Sequence, residues 1–166
     1  MFNVTIFRKS FHSDIHLISL LNRYGVILDS YHFANDRSDQ YSHLHGYQKV
    51  YEILIDIFIA WKEIVEKENG FLALDFADEY LGGLFVCNQN EKIELTYGYC
   101  TQLNGWELDI ISIVNGHYLK ENFVIDKNFR PISIGKNELI KYIDDTLIVP
   151  MRRQIIYEQV PFEKVP

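Results

Sequence analysis

Residues 46–69 read GYQKVYEILIDIFIAWKEIVEKEN, and this stretch decides the fold that the sequence predicts. Its large apolar side chains recur every three or four positions, the spacing of one face of an α-helix: Val50, Leu54, Ile57, Phe58, Trp61, Ile64 and Val65. Tyr47, Tyr51 and Ile53 widen this face, so most of the helix is predicted to be covered. Asn69-Gly70 then supplies the left-handed residue that commonly closes a helix. At about 1.5 Å per residue, a helix roughly 30 Å long crosses a small domain. We therefore expect a sheet packed against it.

The remaining sequence predicts two shorter helices and a series of strands. Apolar residues between Asp14 and Gly25 follow a helical spacing, and residues 138–147 do so again before Pro150. The predicted strands are residues 3–7, 26–28, 71–74, 84–87, 93–99, 106–114, 123–125, 132–134 and 152–160.

Two pairs of these strands are joined by turn-forming residues and predict hairpins: 84–87 with 93–99, and 123–125 with 132–134. The order of elements predicts an α+β fold in a single domain over residues 1–166. Its mainly antiparallel sheet packs on the long central helix, with the two shorter helices beside it.

Composition limits the classes of function. The 166 residues are 48% hydrophobic, which suits one domain with a substantial core. The net charge of −7 argues against direct binding of nucleic acid, because that requires Lys and Arg to neutralise phosphates. No stretch of 18 residues is apolar and uncharged, and the N-terminus lacks a signal-peptide pattern. The sequence therefore predicts a cytoplasmic protein that does not contact a membrane.

The chain contains no motif that indicates catalysis. A P-loop, a G-x-G-x-x-G after a strand, a G-x-S-x-G and an H-E-x-x-H are all missing. The histidine pairs 12/16 and 43/45 lack the third and fourth ligands that zinc needs. Cys87 and Cys100 are predicted to be reduced core residues, since no secretion signal precedes them. We predict no catalytic residue, no metal, no cofactor and no enzymatic activity.

Acidic residues are concentrated in one part of the chain. Residues 52–79 hold eight acids against two lysines, a net charge of −6, so the rest is nearly neutral. Two interpretations are open: a solvated helix end followed by a polar loop, or a surface for a basic protein. The second gains support from aromatic residues among the acids, because charge steers an encounter and aromatics anchor it.

Taken as a whole, the chain resembles the immunity proteins of bacterial contact-dependent growth-inhibition and polymorphic toxin systems. The resemblance is one of type: a small acidic α+β domain, rich in Tyr, Phe, Ile and Asn, without a catalytic motif. It implies that the protein binds a cognate toxin domain, often a basic nuclease, and occludes its active site. The toxin-facing surface is then expected at Glu63, Glu66, Asp75, Asp78, Glu79 and Tyr80.

The main alternative is an enzyme or small-ligand-binding protein with a pocket between the sheet and the central helix. A third hypothesis is an accessory protein of a phage or mobile element that blocks a host factor. It predicts the same acidic surface without a neighbouring toxin gene.

Overall fold

A computed structural model of the protein describes residues 5–8, 16–20, 26–29, 39–44, 46–67, 69–76, 79–101 and 123–153. Its elements, in chain order, are strands β1 (Thr5–Arg8), β2 (His16–Leu20) and β3 (Val26–Asp29), a 3-10 turn (Asp39–Tyr41), helix α1 (Gly46–Lys67), strands β4 (Gly70–Phe76), β5 (Leu81–Gln89), β6 (Lys92–Cys100), β7 (Phe123–Ile125) and β8 (Ile132–Gly135), helix α2 (Lys136–Tyr142) and a π-helical turn (Ile143–Ile148). The fold is α+β, as predicted, and every ladder between the described strands is antiparallel.

Helix α1 confirms the prediction made from residues 46–69. It has 22 residues and packs against β4, β5, α2 and the π-helical turn. Ile53, Leu54, Ile57, Phe58 and Val65 are completely buried. Burying a side chain of this size stabilises the fold by about 1.5–3 kcal/mol. The long apolar face of α1 is therefore the centre of the core.

Strands β4 to β8 form a sheet on which α1 packs. Strands β5 and β6 pair along all nine residues of each, which confirms the first predicted hairpin. Its turn is Asn90-Glu91, and Asn90 adopts a φ of 69°. Asparagine is one of the few residues other than glycine that tolerates this left-handed conformation.

The second predicted hairpin is wrong, because β7 and β8 do not pair with each other. Both pair with β6, β7 beside Gly98–Cys100 and β8 beside Lys92–Leu95, so they follow one another along the same side of that strand. Between these two ladders, β6 has two residues, 96 and 97, whereas the opposite chain has six, 126–131. The six residues therefore form a loop. Phe129 from this loop is buried, and its ring centroid lies 5.9 Å from that of Tyr97.

The predicted helix between Asp14 and Gly25 is also wrong, because residues 16–20 form β2. This strand is the middle one of a second sheet and pairs with β1 on one side and β3 on the other. An apolar run this short satisfies helical and extended spacing alike. Two flanking ladders of hydrogen bonds favour the extended form.

The C-terminal helix is confirmed, but it does not end at Pro150. Helical structure continues to Arg153, so the strand predicted for residues 152–160 begins as helix; residues 154–160 lie outside the described part. The backbone N–H of Val149 donates to the carbonyl of Asp144, five residues earlier. Proline conflicts with a regular α-turn before it, and the wider π-helical turn relieves that conflict.

Candidate interaction surface

Five of the six residues predicted to face a partner lie in the described part of the structure. Glu63 and Glu66 are exposed in the last turns of α1, and Glu79 is exposed just before β5. Tyr80 follows Glu79 and is half-buried, while Asp75 belongs to β4. Asp78 lies outside the described residues.

These residues fall into two groups at opposite ends of the β4–β5 hairpin. Gly70 pairs with Val86 next to the C-terminal end of α1, and Phe76 pairs with Leu81 at the other end. The six residue steps between Gly70 and Phe76 correspond to about 20 Å. We call the region of Glu63 and Glu66 the α1 end, and the region of Asp75, Glu79 and Tyr80 the sheet end.

At the α1 end, nearby side chains cap the helix. The ammonium of Lys136 donates to the carbonyl of Glu66 at 2.6 Å, and the amide of Asn88 donates to the carbonyl of Val65 at 3.4 Å. A helix leaves its last carbonyls without partners and carries partial negative charge there, so these donors stabilise it. The Glu63 carboxylate is paired with Lys67 at 3.2 Å. The capping groups border an open polar groove of about 580 Å³, lined by Lys67, Asn69, Asn88, Asn90 and Lys136.

At the sheet end, four residues form a row across neighbouring strands. Asp75 is paired with Gly82, Gly82 with Tyr99, and Tyr99 with Val124. Directly opposed residues of antiparallel strands share one face of a sheet. The ring of Tyr80 lies 5.7 Å from that of Tyr99, in a tilted arrangement. The row therefore places Tyr99 and Val124 in register with one of the predicted acidic positions, Asp75.

This row includes residues that sequence reasoning did not select. Tyr99 is half-buried, Val124 is 45% exposed and its neighbour Ile125 is 56% exposed. A contiguous patch of exposed apolar side chains is one sign of a contact surface, whereas single exposed apolar residues are common. Because exposure and register both depend on pairing between distant segments, the linear sequence does not reveal them.

Part of the acidic stretch has an internal structural role. The Tyr41 hydroxyl donates to the carboxylate of Asp56 at 2.7 Å, and the Gln40 amide donates to it at 3.3 Å. Tyr41 is only 3% exposed, so this bond lies at the edge of the core. Asp56 therefore fixes the 3-10 turn to α1, and the acids available to a partner are fewer than the composition indicates.

A small apolar cavity lies between the sheet and the helices in the described part of the chain. Its volume of about 10 Å³ has room for no more than about one water molecule. It is lined by Trp61, Leu72, Leu84, Leu95, Leu139, Tyr142, Ile143 and Leu147. This cavity is far smaller than the pockets of several hundred Å³ that usually hold small ligands.

The remaining reactive side chains do not assemble into a site within the described ranges. No three of their His, Cys, Asp or Glu side chains come together as they would around a metal ion. Cys100 is buried and Cys87 is half-buried, and both are free thiols. His43 is exposed, whereas His12 and His45 lie outside the described residues.

The chain matches no protein-family model, no curated protein and no solved structure. Among the helices that the structure describes, none has both the length and the apolar character of a membrane span.

Proposed function

We propose that the protein is an inhibitor of the immunity type, which binds a basic toxin domain and occludes its active site. The observation that carries this proposal is the local excess of acid. Residues 52–79 carry a net charge of −6 out of −7 for the chain. Within the described part, the exposed carboxylate of Glu79 takes part in no hydrogen bond or ion pair. It is therefore available to pair with a cation of another protein.

The proposed mechanism uses charges that a nuclease toxin must carry. Such a toxin places Lys and Arg where it holds the phosphates of its substrate. Carboxylates of the inhibitor would pair with these cations, and an aromatic side chain such as Tyr80 would fill the cleft between them. Complementary charge also raises the rate of encounter, particularly at low salt.

The small size of the cavity between the helices and the sheet supports a role carried by the surface. Binding by an exposed face requires no pocket, and the cavity among the described residues measures about 10 Å³. An inhibitor instead needs a rigid scaffold that presents its contact residues in one arrangement, since ordering them on binding costs affinity. The paired strands β5 and β6 supply such a scaffold at the sheet end.

Co-expression tests the proposal directly. The product of the adjacent reading frame, or its C-terminal domain, is expressed in bacteria with and without this protein while growth is followed. We expect growth arrest that is relieved only by co-expression. A neighbouring product that is harmless, or that stays toxic in the presence of this protein, would contradict the immunity function.

Binding of the purified proteins then tests the role of the acids. The triple variant Asp75→Lys, Asp78→Lys, Glu79→Lys should weaken the complex by about 2–5 kcal/mol, because attraction is replaced by repulsion. The control is Glu138→Lys, since Glu138 is an exposed acid of α2. Equal affinity of the triple variant and the wild type would exclude these acids from the interface.

A further inference from the structure

The two ends of the β4–β5 hairpin differ in the surface that they offer to a partner. We propose that the sheet end is the docking surface, formed by Glu79, Tyr80, Tyr99 and Val124, and that its occupant is the basic face of the protein partner. On this inference the α1 end lies outside the interface. The inference rests on the proposed inhibitor function and specifies where that function resides.

An exposed apolar side chain lies beside the tyrosines of the sheet end. Among the described residues, the large hydrophobic side chains that are strongly exposed are Val124, Ile125 and Val149. Val124 and Ile125 are consecutive residues of β7, so they project from opposite faces of the sheet. Val124 lies directly across from Tyr99 and shares its face. Exposed apolar surface next to aromatic residues is typical of a surface that another protein covers.

Two tyrosines form an aromatic pair at the sheet end. Tyr80 directly precedes β5 and Tyr99 lies near the end of β6, and their rings are in contact. Gly82, which has no side chain, lies between Asp75 and Tyr99 in the cross-strand row. Tyrosine is frequent at the energetic centre of interfaces, because its rigid ring offers a large contact area and its hydroxyl still bonds to polar groups. The contact between the rings restricts both of them before a partner arrives, which lowers the entropy cost of binding.

The charge around the sheet end favours a basic occupant. Residues 68–91 contain no Lys or Arg, so the acids that precede Tyr80 have no cation close to them in sequence. At the α1 end, by contrast, Lys67 and Lys136 lie beside Glu63 and Glu66. Opposite charges pair there, whereas Glu79 at the sheet end forms no ion pair within the part of the chain that the structure describes. A basic partner is therefore drawn to the sheet end.

Single substitutions at the two ends provide the test. The toxin domain identified by co-expression is titrated with the wild type and with Glu79→Lys, Tyr99→Ala and Val124→Lys. We expect each of these variants to raise the dissociation constant by about tenfold or more. Glu66→Lys at the α1 end and Glu91→Lys in the β5–β6 turn make the same charge change away from the proposed surface. These two should change the dissociation constant less than about threefold, because rim and distant charges contribute little.

Thermal unfolding of every variant shows whether a loss of binding reflects a loss of fold. Tyr99→Phe keeps the ring and replaces Tyr99→Ala if the alanine variant is unstable; it should bind within about fivefold of the wild type. A loss of affinity from Glu66→Lys without one from Glu79→Lys would overturn the docking surface but leave the inhibitor function intact. Absence of any complex would overturn both proposals. Self-association of the protein that Val124→Lys abolishes would assign the surface to a second copy of this chain instead.

Discussion

The ammonium of Lys62 bonds to both carboxylate oxygens of Asp144, at 2.7 and 2.8 Å, and so joins α1 to the π-helical turn. The neighbouring Asp145 is bonded to Lys141, one helical turn earlier. From the sequence, the acidic pair at 144–145 stands at an unfavourable place, near the end of a helix. The structure resolves this, because the helix continues to Arg153 and each acid has a lysine partner.

We predict that the bond between Lys62 and Asp144 contributes a modest, salt-dependent stabilisation. Their side chains are 26% and 40% exposed, so solvent screens the pair and the coupling should be about 0.2–1 kcal/mol. A double-mutant cycle with Lys62→Met and Asp144→Asn, measured by urea unfolding, isolates this value. The coupling should fall as salt is raised. A coupling of zero at low salt would contradict a net stabilisation by this pair.

The contrast between α1 and β2 shows which features of the fold can be predicted from sequence. The apolar residues of α1 keep one periodicity over six turns, so local spacing is enough to identify the helix. His16–Leu20 is five residues long and fits two periodicities. Its structure is decided by pairing with β1 and β3, which local spacing does not report.

The residues of the candidate surface also differ in whether the sequence alone identifies them. Glu79 and Tyr80 are adjacent in sequence, and the charge and aromatic pattern identified them. Tyr99 and Val124 join them only through the register of β5, β6 and β7. The separation of Glu66 from Glu79 also follows from the direction of β4, which carries the chain away from the C-terminal end of α1. Single-sequence patterns identify residue types suited to an interface, but strand pairing decides which of them meet.

Gly83 is predicted to be indispensable, although the pair Gly82-Gly83 reads in the sequence as a flexible connection. It lies buried in β5 opposite Gly98. A Cβ at this position would overlap the carbonyl oxygen of Leu72 and lie 2.9 Å from Cζ of Phe71. Because a backbone atom cannot move aside easily, Gly83→Ala should lower the free energy of unfolding by about 1–3 kcal/mol or prevent folding. Urea unfolding measures the change.

Gly135→Ala is the matched control for this close approach. A Cβ at Gly135 meets its nearest neighbour, Cβ of Glu138, at the ordinary distance of 3.6 Å. Gly135 precedes α2, where alanine is a poorer cap than glycine, so a change within about 1 kcal/mol is expected. If both alanine variants lost the same stability, the effect would come from the backbone preferences of glycine and not from steric overlap.

Phe129 should be the residue that fixes the loop of residues 126–131. It is 7% exposed, contacts Tyr97, and is the buried residue of a loop that otherwise faces solvent. The loop itself is shaped by the carboxylate of Asp126, which accepts the backbone N–H of Asn128 at 2.8 Å. Phe129→Ala removes a large core side chain and should cost about 3–5 kcal/mol in the free energy of unfolding.

Lys127→Ala in the same loop supplies the comparison for Phe129. Lys127 is exposed, so its replacement should change stability by no more than about 0.5 kcal/mol. Both variants are compared by thermal and urea unfolding. Similar stabilities for the two would show that Phe129 is not part of the core.

Tyr142 should make the stability of the protein decline in alkaline solution. Burial disfavours its charged phenolate and raises the pKa of Tyr142 to about 12 from an ordinary value of 10.0. In the unfolded chain this phenol loses its proton near pH 10, while in the folded protein it keeps the proton up to about pH 12. The unfolded state then binds fewer protons, so the free energy of unfolding falls as the pH rises through this window.

Because other tyrosines also titrate there, urea unfolding of the wild type is compared with that of Tyr142→Phe between pH 8 and about pH 11.5. The stability of the wild type relative to the phenylalanine variant should be constant up to about pH 9 and decline above it. Parallel pH profiles of the two proteins would show that the Tyr142 hydroxyl is as well solvated in the folded state as in the unfolded chain.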